Sequence, residues 1–293
     1  MKIQQITIVG TGLIGGSLGL ALKKRGFAGR VVGCDRSEVL ERARKMAAID
    51  AGVADAARAT EGADVVVLAS PVGQIMDLIE RIGPRLGARA LLTDVGSTKV
   101  EILARARAVF GPEAPRRFLG GHPMAGREEP GIEHADADLF QGAPWLFTPQ
   151  PGQKVEEGLG GEFLKLVERV GAKPVLLDAE RHDRLCAWVS HLPQMLSTAL
   201  AAAFEEEFGG DAQLAALSGR GLRDMTRLAV SPYAMWRDIA LTNSANIEAA
   251  LLKLEQRLTH IRENLRTAGL REEFERAKKF RHRDTEAQRN KLK

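Results

Sequence analysis

The sequence holds six histidines, and the surroundings of His122 are the ones suited to proton chemistry. His122 follows the strand-like run Phe118 to Gly121, precedes Pro123 and falls within GGHPMAG. Glycines on either side let backbone and ligand approach closely. A histidine at the carboxyl end of a strand is placed to act as a general base near neutral pH. A histidine satisfied within a turn would read the same from spacing alone. Asp94-Val95-Gly96-Ser97-Thr98-Lys99 ends another strand-like run. Ser97 can hydrogen-bond substrate and histidine together, or cap the helix beginning near Thr98, and both can hold at once. Lys99 either neutralises a carboxylate or sits in water. Farther on, GRGLRDMTRLAV carries Arg220, Arg223 and Arg227. Arg223 and Arg227 are four apart and share a helical face, where like charges repel unless Asp224 or an anion offsets them. Arginine's planar fork suits a carboxylate, and a solvated basic face is the plain alternative. Histidine, cysteine and carboxylate do not recur at metal-ligand spacing, since His182 and Asp183 are adjacent without an evident third ligand; no metal is expected.

A second constellation opens the chain. Gly10-Thr11-Gly12-Leu13-Ile14-Gly15 directly follows the apolar run Ile6 to Val9 and enters a helical pattern. The first glycine allows a tight turn, the second lets backbone approach a pyrophosphate, and the third lets helix and strand pack closely. The helix start then offers free N–H groups and a positive dipole end to phosphate. Asp35 ends the second strand about 20 residues beyond the last glycine, where a carboxylate bonds the adenosine ribose hydroxyls. Asp35 would repel a 2′-phosphate and so favours NAD over NADP, while the adjacent Arg36 pulls the other way. Ser70 and Pro71, at the end of the run Val65 to Leu68, are expected to line the same crevice or merely to turn the chain.

These residues need a scaffold, and the first half supplies one. Strand-like runs at Ile6–Val9, Arg30–Cys34, Val65–Leu68, Ala90–Asp94, Phe118–Gly120, Pro144–Phe147 and Pro174–Leu177 alternate with helical patterns, among them Leu18–Lys24, Val39–Ala48 and Glu162–Val170. That rhythm predicts a Rossmann-type doubly wound parallel sheet over 1–178. After Asp178 no strand-like run follows, so 179–293 is expected to be an all-α domain. Arg184–Phe208 reads as one long helix kinked at Pro193. Pro232–Leu241 is a shorter helix and Asn243–Thr267 a long one. The seam Ile247, Leu251, Leu254, Leu258, Ile261, Leu265 is of heptad type, for packing within the domain or for a subunit interface. The length of 293 residues accommodates two such domains. Two cysteines, Cys34 and Cys186, exclude a disulfide framework. The start MKIQQITIVG is not a signal peptide, and no run of 18 apolar residues spans a membrane, so a cytoplasmic protein is expected. The net charge of +4 resides in 271–293, where nine Lys or Arg face five Asp or Glu; the remainder is balanced. A basic tail of this kind, frayed or helical, is no nucleic-acid footprint.

Taken together, IVGTGLIGGSLGLALK, ASPV, TDVGSTK, GGHPMAGRE, DADLFQGAPWLFTP, RHDRLCAWVSHLP, GLRDMTRLA and MWRDI resemble the prephenate/arogenate dehydrogenase family of tyrosine biosynthesis, in order and over essentially the whole chain. The resemblance implies a Rossmann domain followed by a helical dimerisation domain, and hence a homodimer. It implies NAD-dependent oxidative decarboxylation of prephenate to 4-hydroxyphenylpyruvate, or of arogenate to tyrosine. On that resemblance His122 is the catalytic histidine that bonds the ring hydroxyl at C4, and Ser97 its partner there. Arg227 holds a substrate carboxylate and Glu128 gates the pocket. Asp224 and Trp236 lie at the rim, partly contributed by the neighbouring subunit, and Ser190 and His191 line the site. Many prephenate-using members read SHLPH; here the segment is SHLPQ, with Gln194 facing the substrate side chain. A neutral amide can meet either a keto acid or an amino acid.

Overall fold

The computed structural model describes residues 2–127 and 129–291, with the side chains of 214, 215 and 282–291 left aside. The apolar runs become strands, most of them buried on both faces; the run at Pro174 leaves Val175 43% and Leu176 49% exposed. In chain order the elements of the sheet region are β1 (Gln5–Val9), α1 (Leu13–Lys24), β2 (Arg30–Cys34), α2 (Ser37–Lys45), β3 (Ala51–Gly52), α3 (Ala56–Ala59), β4 (Val65–Leu68), α4 (Val72–Ile82), β5 (Leu91–Asp94), α5 (Val100–Phe110), α6 (Ala114–Arg117), β6 (Phe118–Pro123), β7 (Pro144–Thr148), α7 (Gly158–Arg169) and β8 (Lys173–Leu176). Successive side chains of a strand point to opposite faces. Val65 and Val67 of β4 therefore join one apolar core, with Ile6, Ile8 and Leu119. Val66 and Leu68 join the other, with Val9, Leu92 and Phe118. Two cores on the two faces of one sheet make the doubly wound arrangement.

The strands lie in the order β3-β2-β1-β4-β5-β6-β7-β8. They run parallel from β3 through β6. The order reverses between β1 and β4, and ligands of open α/β sheets bind outside the carboxyl ends of strands at such a switch point. One departure from an all-parallel sheet is β7, antiparallel to β6, with His122 opposite Leu146. A parallel crossover needs a connection with a helix-sized detour. Among its described residues, the segment joining β6 to β7 contains only a 3-10 turn, Ile132–His134, and the chain returns in the opposite direction. β6 also runs past the expected end, so His122 lies within the last strand turn rather than after it. α1 begins at Leu13, five residues before the expected start, so that the glycine motif feeds straight into the helix. α7 begins at Gly158, ahead of the expected start at Glu162.

The helical part holds α8 (Ala179–Cys186), α9 (Leu192–Phe208), α10 (Ala212–Leu217), α11 (Arg220–Thr226), α12 (Tyr233–Thr242), α13 (Ser244–Glu263) and α14 (Ala268–Lys291). The long helix expected over Arg184–Phe208 is interrupted, between α8 and α9, by a π-helical turn, Ala187–His191. Pro193 follows in the first turn of α9. Proline has no N–H to give the preceding turn, and the irregularity is taken up by a wider turn rather than by a simple kink.

The chain forms two compact units, 1–244 and 245–293. Within the second, α13 buries Ile247 and Ala250. Leu258 and Leu265 of the expected seam are more than half exposed. The basic tail is helical through Lys291. Among the described residues no helix is long and apolar enough to cross a membrane.

Candidate active site

The glycine motif meets each of its three requirements. Gly10 has a φ of +95°, and a Cβ there would overlap the Ala69 carbonyl oxygen at the end of β4. A Cβ on Gly15 would overlap the Gly10 carbonyl, so the third glycine permits the helix to press on the turn. A Cβ on Gly12 would meet nothing within 4 Å, so that side of its backbone is open to a ligand. Beside it runs a cleft of about 1030 Å³ whose walls include Gly10, Gly12, Asp35, Arg36, Ser70 and Pro71. Asp35 is held by two backbone donors: Thr11 N–H gives to Oδ2 at 2.8 Å and Arg36 N–H to Oδ1 at 2.8 Å. Thr11 is itself fully buried and turned inward, and Gly15 is likewise off the wall. An open backbone turn, a helix N-terminus and an oriented carboxylate fit a dinucleotide's pyrophosphate and ribose.

A second cavity of about 460 Å³ shares the glycine loop, for Leu13 and Ile14 lie in its wall. The same wall carries Ser97, His122, Ser190, Gln194, Arg227 and Trp236, brought from positions 97 to 236. His122 is only 8% exposed. Its Nδ1 lies 2.9 Å from Nε2 of His182. The other nitrogen of His182, Nδ1, lies 2.8 Å from Oδ1 of Asp183. Asp183 also accepts the N–H groups of Lys99, at 2.7 Å, and of Val100, at 3.0 Å. It thereby satisfies the start of α5, where a negative charge is favoured.

Lys99, the residue whose role the sequence left open, is fully buried. It pairs with Asp94 and donates to the Gly121 carbonyl at 2.8 Å. Asp94 in turn accepts from Gly96 N–H at 2.8 Å and Gly121 N–H at 3.1 Å. The DVGSTK and GGHPMAG segments are thus pinned together by a buried ion pair. Burial, with the neighbouring His182, Lys99 and His191, holds the His122 imidazole well below the ordinary histidine pKa. Burial lowers His182 too, although Asp183 opposes the shift. A neutral imidazole has one bare nitrogen and is ready to accept a proton.

The expectation that no metal-ligand set exists needs correction. His122, His182 and Cys186 bring three ligand-capable atoms within 4.8 Å of one another. Sequence spacing hid this because His122 comes from the sheet and the others from α8. The 2.9 Å between the two imidazoles is a hydrogen-bond distance. Two nitrogens around a tetrahedral zinc, bonded at about 2.0–2.1 Å, would stand roughly 3.3 Å apart. Burial pushes the Cys186 thiol up to about 12, so without a metal it carries its proton. As they stand, the two imidazoles form a hydrogen-bonded pair with the thiol beside them.

Other expected site residues sit differently. His191 is fully buried, faces Asn243 Nδ2 at 3.2 Å and meets Trp236 edge to face at 5.9 Å; it is not on the cavity wall. The π-turn turns Ser190 to the cavity and His191 inward. Asp224 is exposed and off the wall. Glu128 lies outside the described residues. Gln194 is buried, and its Nε2 donates to the Leu228 carbonyl at 2.8 Å and to Thr198 Oγ1 at 3.2 Å. Sequence reasoning assigned no site role to Asp94, weighed His182 and Asp183 only as metal ligands, and assigned no site role to Asp238. Asp238 of the MWRD segment accepts the Gly73 N–H at 3.0 Å and so ties α12 to the first turn of α4. The one signal available for the first three was their lying inside the motifs already singled out.

A family model described as the nucleotide-binding domain of prephenate dehydrogenase matches residues 18–176. A second, described as the prephenate dehydrogenase dimerization domain, matches 178–280. The chain is similar to the prephenate dehydrogenase of Lactococcus lactis subsp. cremoris, at 33% identity over 89% of this chain and 70% of that protein. It spans between 65% and 70% of the length of the first curated relatives it matches. A solved prephenate dehydrogenase of A. aeolicus, in complex with hydroxyphenyl propionate and NAD+, superposes with a TM-score of 0.83 at 30% identity, covering 100% of this chain and 99% of that one. A Synechocystis arogenate dehydrogenase gives 0.77 at 29% identity, covering 95% of this chain and 99% of that one. With both family models matched in order and the motifs of each gathered around one pair of clefts, the chain belongs to the prephenate dehydrogenase family.

Proposed function

We propose that the chain catalyses oxidative decarboxylation of prephenate to 4-hydroxyphenylpyruvate with NAD, and that His122 is its general base. The observation that carries this reading is the neutral, buried His122 on the wall of a cavity that shares the glycine loop with the nucleotide cleft. Gly10, Gly12, Asp35, Ser70 and Pro71 would hold the dinucleotide, which when bound accepts the hydride from C4 of the substrate ring. His122 takes the C4 hydroxyl proton as that oxygen becomes a carbonyl. The ring carboxylate then leaves as CO₂, its bond pair aromatises the ring, and the phenolate oxygen takes the proton back from His122. Ser97 bonds the same hydroxyl, and Arg227 anchors a carboxylate so that C4 is oriented. Asp35, bonded by two backbone donors at the ribose end, supports NAD over NADP. The exposed Leu258, Leu265 and Leu252 of the helical part, with the dimerization model, support a homodimer. The family models, ending at 176 and beginning at 178, support a domain division near residue 178.

Formation of reduced nicotinamide, measured with prephenate, with arogenate and with neither, and with NAD and NADP in parallel, tests the reading. Turnover with prephenate and NAD is the expected result; reduction without either substrate would sink it. Arg227→Ala should mainly raise KM, and an unchanged KM would remove its anchoring role.

A second reading, arogenate as the preferred substrate, has its own support at Gln194. Both amide hydrogens are engaged by Leu228 and Thr198. A flipped amide would set two carbonyl oxygens against each other at Leu228, so the group left for the cavity is the acceptor Oε1. An acceptor suits an ammonium better than a keto oxygen.

A further inference from the structure

We propose that Asp183 and His182 form a relay that fixes the tautomer of His122, making both positioning residues for the base. The inference rests on the assignment of His122 as base. Asp183 stands where two backbone N–H groups, of Lys99 and Val100, aim at its carboxylate. Backbone N–H groups can only donate, so the carboxylate is there as an acceptor. His182 Nδ1, 2.8 Å from the same Oδ1, must then carry the hydrogen. Burial keeps His182 neutral, so its Nε2 is a bare acceptor. His122 Nδ1, 2.9 Å from that acceptor, must carry a hydrogen in its turn. What remains on His122 is Nε2, without a hydrogen, on the ring of a residue that lines the cavity. Each donor along the line forces the next, and the line ends in a lone pair at the place where a hydroxyl proton has to go.

The surroundings agree with this direction. The charged groups about the pair of imidazoles are Asp183, Asp94 and Lys99, and the last two neutralise each other. Asp183 is therefore the carboxylate left to compensate the imidazolium that forms when His122 accepts a proton. It does so through His182, not by contact. Cys186 Sγ flanks the line at 3.6 Å from His182 and 3.9 Å from His122 and, as a protonated thiol, adds no charge. A histidine presenting the wrong tautomer is an ineffective base even in unchanged geometry, and that alone can cost up to about 10⁴-fold in turnover.

Nitrogen-15 spectra of the histidine-labelled protein, with His122 assigned by its loss in His122→Asn, read the tautomer directly. The expected spectrum shows Nδ1 protonated and Nε2 bare near neutral pH; a protonated Nε2 would overturn the relay without any further variant. Substitution gives the second readout. His182→Leu should lower kcat by about 10- to 10²-fold, with KM and NAD affinity within about twofold. His182→Gln returns an amide oxygen to the position of Nε2 and should recover turnover to within about threefold of the parent. Equal losses in the Leu and Gln variants would overturn the proposal, as would a Leu variant of normal kcat. If His122→Asn itself kept normal turnover, the base assignment would fail, and that failure is recognised because the tautomer spectrum of the parent is unaffected by it.

Discussion

At the scale of single residues, the chemistry depends on an imidazole kept neutral. His122 acts as base only unprotonated, so kcat is lost as pH falls through its pKa and is complete above it. Because burial holds that pKa well below 6.5, the acid limb of the kcat profile should lie below pH 6.5; a limb centred at or above 6.5 would contradict the buried setting. His122→Asn should lower kcat by about 10²- to 10⁴-fold, the usual contribution of a general acid–base residue. Gln194→His offers a ring nitrogen that can donate where the amide oxygen only accepts. It should raise the ratio of kcat/KM for prephenate over arogenate by about 3- to 10-fold, the value of one hydrogen bond. An unmoved ratio would mean that Gln194 does not meet the side chain. These residues differ in how legible they were. His122, Ser97 and the glycines stand in motifs whose local chemistry announces them. His182 and Asp183 become meaningful only when α8 is laid against β6, a contact that no spacing along the chain encodes.

At the scale of elements, two features join the parts that carry the chemistry. The Lys99–Asp94 pair, with Gly121 between, fastens the loop after β5 to the end of β6. A buried pair adds little stability over an apolar replacement, but loss of one partner leaves a naked charge. Lys99→Met should therefore cost about 3–5 kcal/mol in denaturant melts; a change under about 1 kcal/mol, the ordinary surface value, would show that Asp94 is relieved in some other way. Asp183 at the start of α5 and Asp238 at the start of α4 place two helix N-termini under the control of later helices. Most strands were plain in the sequence because a run such as Val65 to Leu68, buried on both faces, needs no partner to be recognised. The direction of β7 was not, since it depends on the absence of a helix in the preceding connection. Nor was the π-turn, because the apolar pattern around Pro193 suits a kinked helix equally well.

At the scale of the whole molecule, three buried histidines tie stability to pH. His122, His182 and His191 all have pKa values below the ordinary 6.5, His191 at about 4, chiefly through burial. In the unfolded chain they titrate near 6.5, so below that pH the unfolded state binds more protons. Their contribution is complete above pH 6.5 and lost as pH falls from 6.5 toward 4. Tm should accordingly decline between pH 7 and pH 5, before most carboxylates titrate; a flat Tm over that range would mean that these side chains are hydrated in solution. The compact unit reaching Ser244 includes every cavity residue named above, although the change of texture near Asp178 was the visible boundary in the sequence. One consequence of the π-turn at Ala187–His191 reaches beyond any single substitution. A π-helical turn holds one residue more than an α-helical one, so deleting one residue there would restore regular winding with α8 and α9 still in line, and the surplus that sets Ser190 on the cavity wall and His191 inward would be lost. What Ser190 presents to the cavity is thus set by the length of this turn, while the faces of the flanking helices are not.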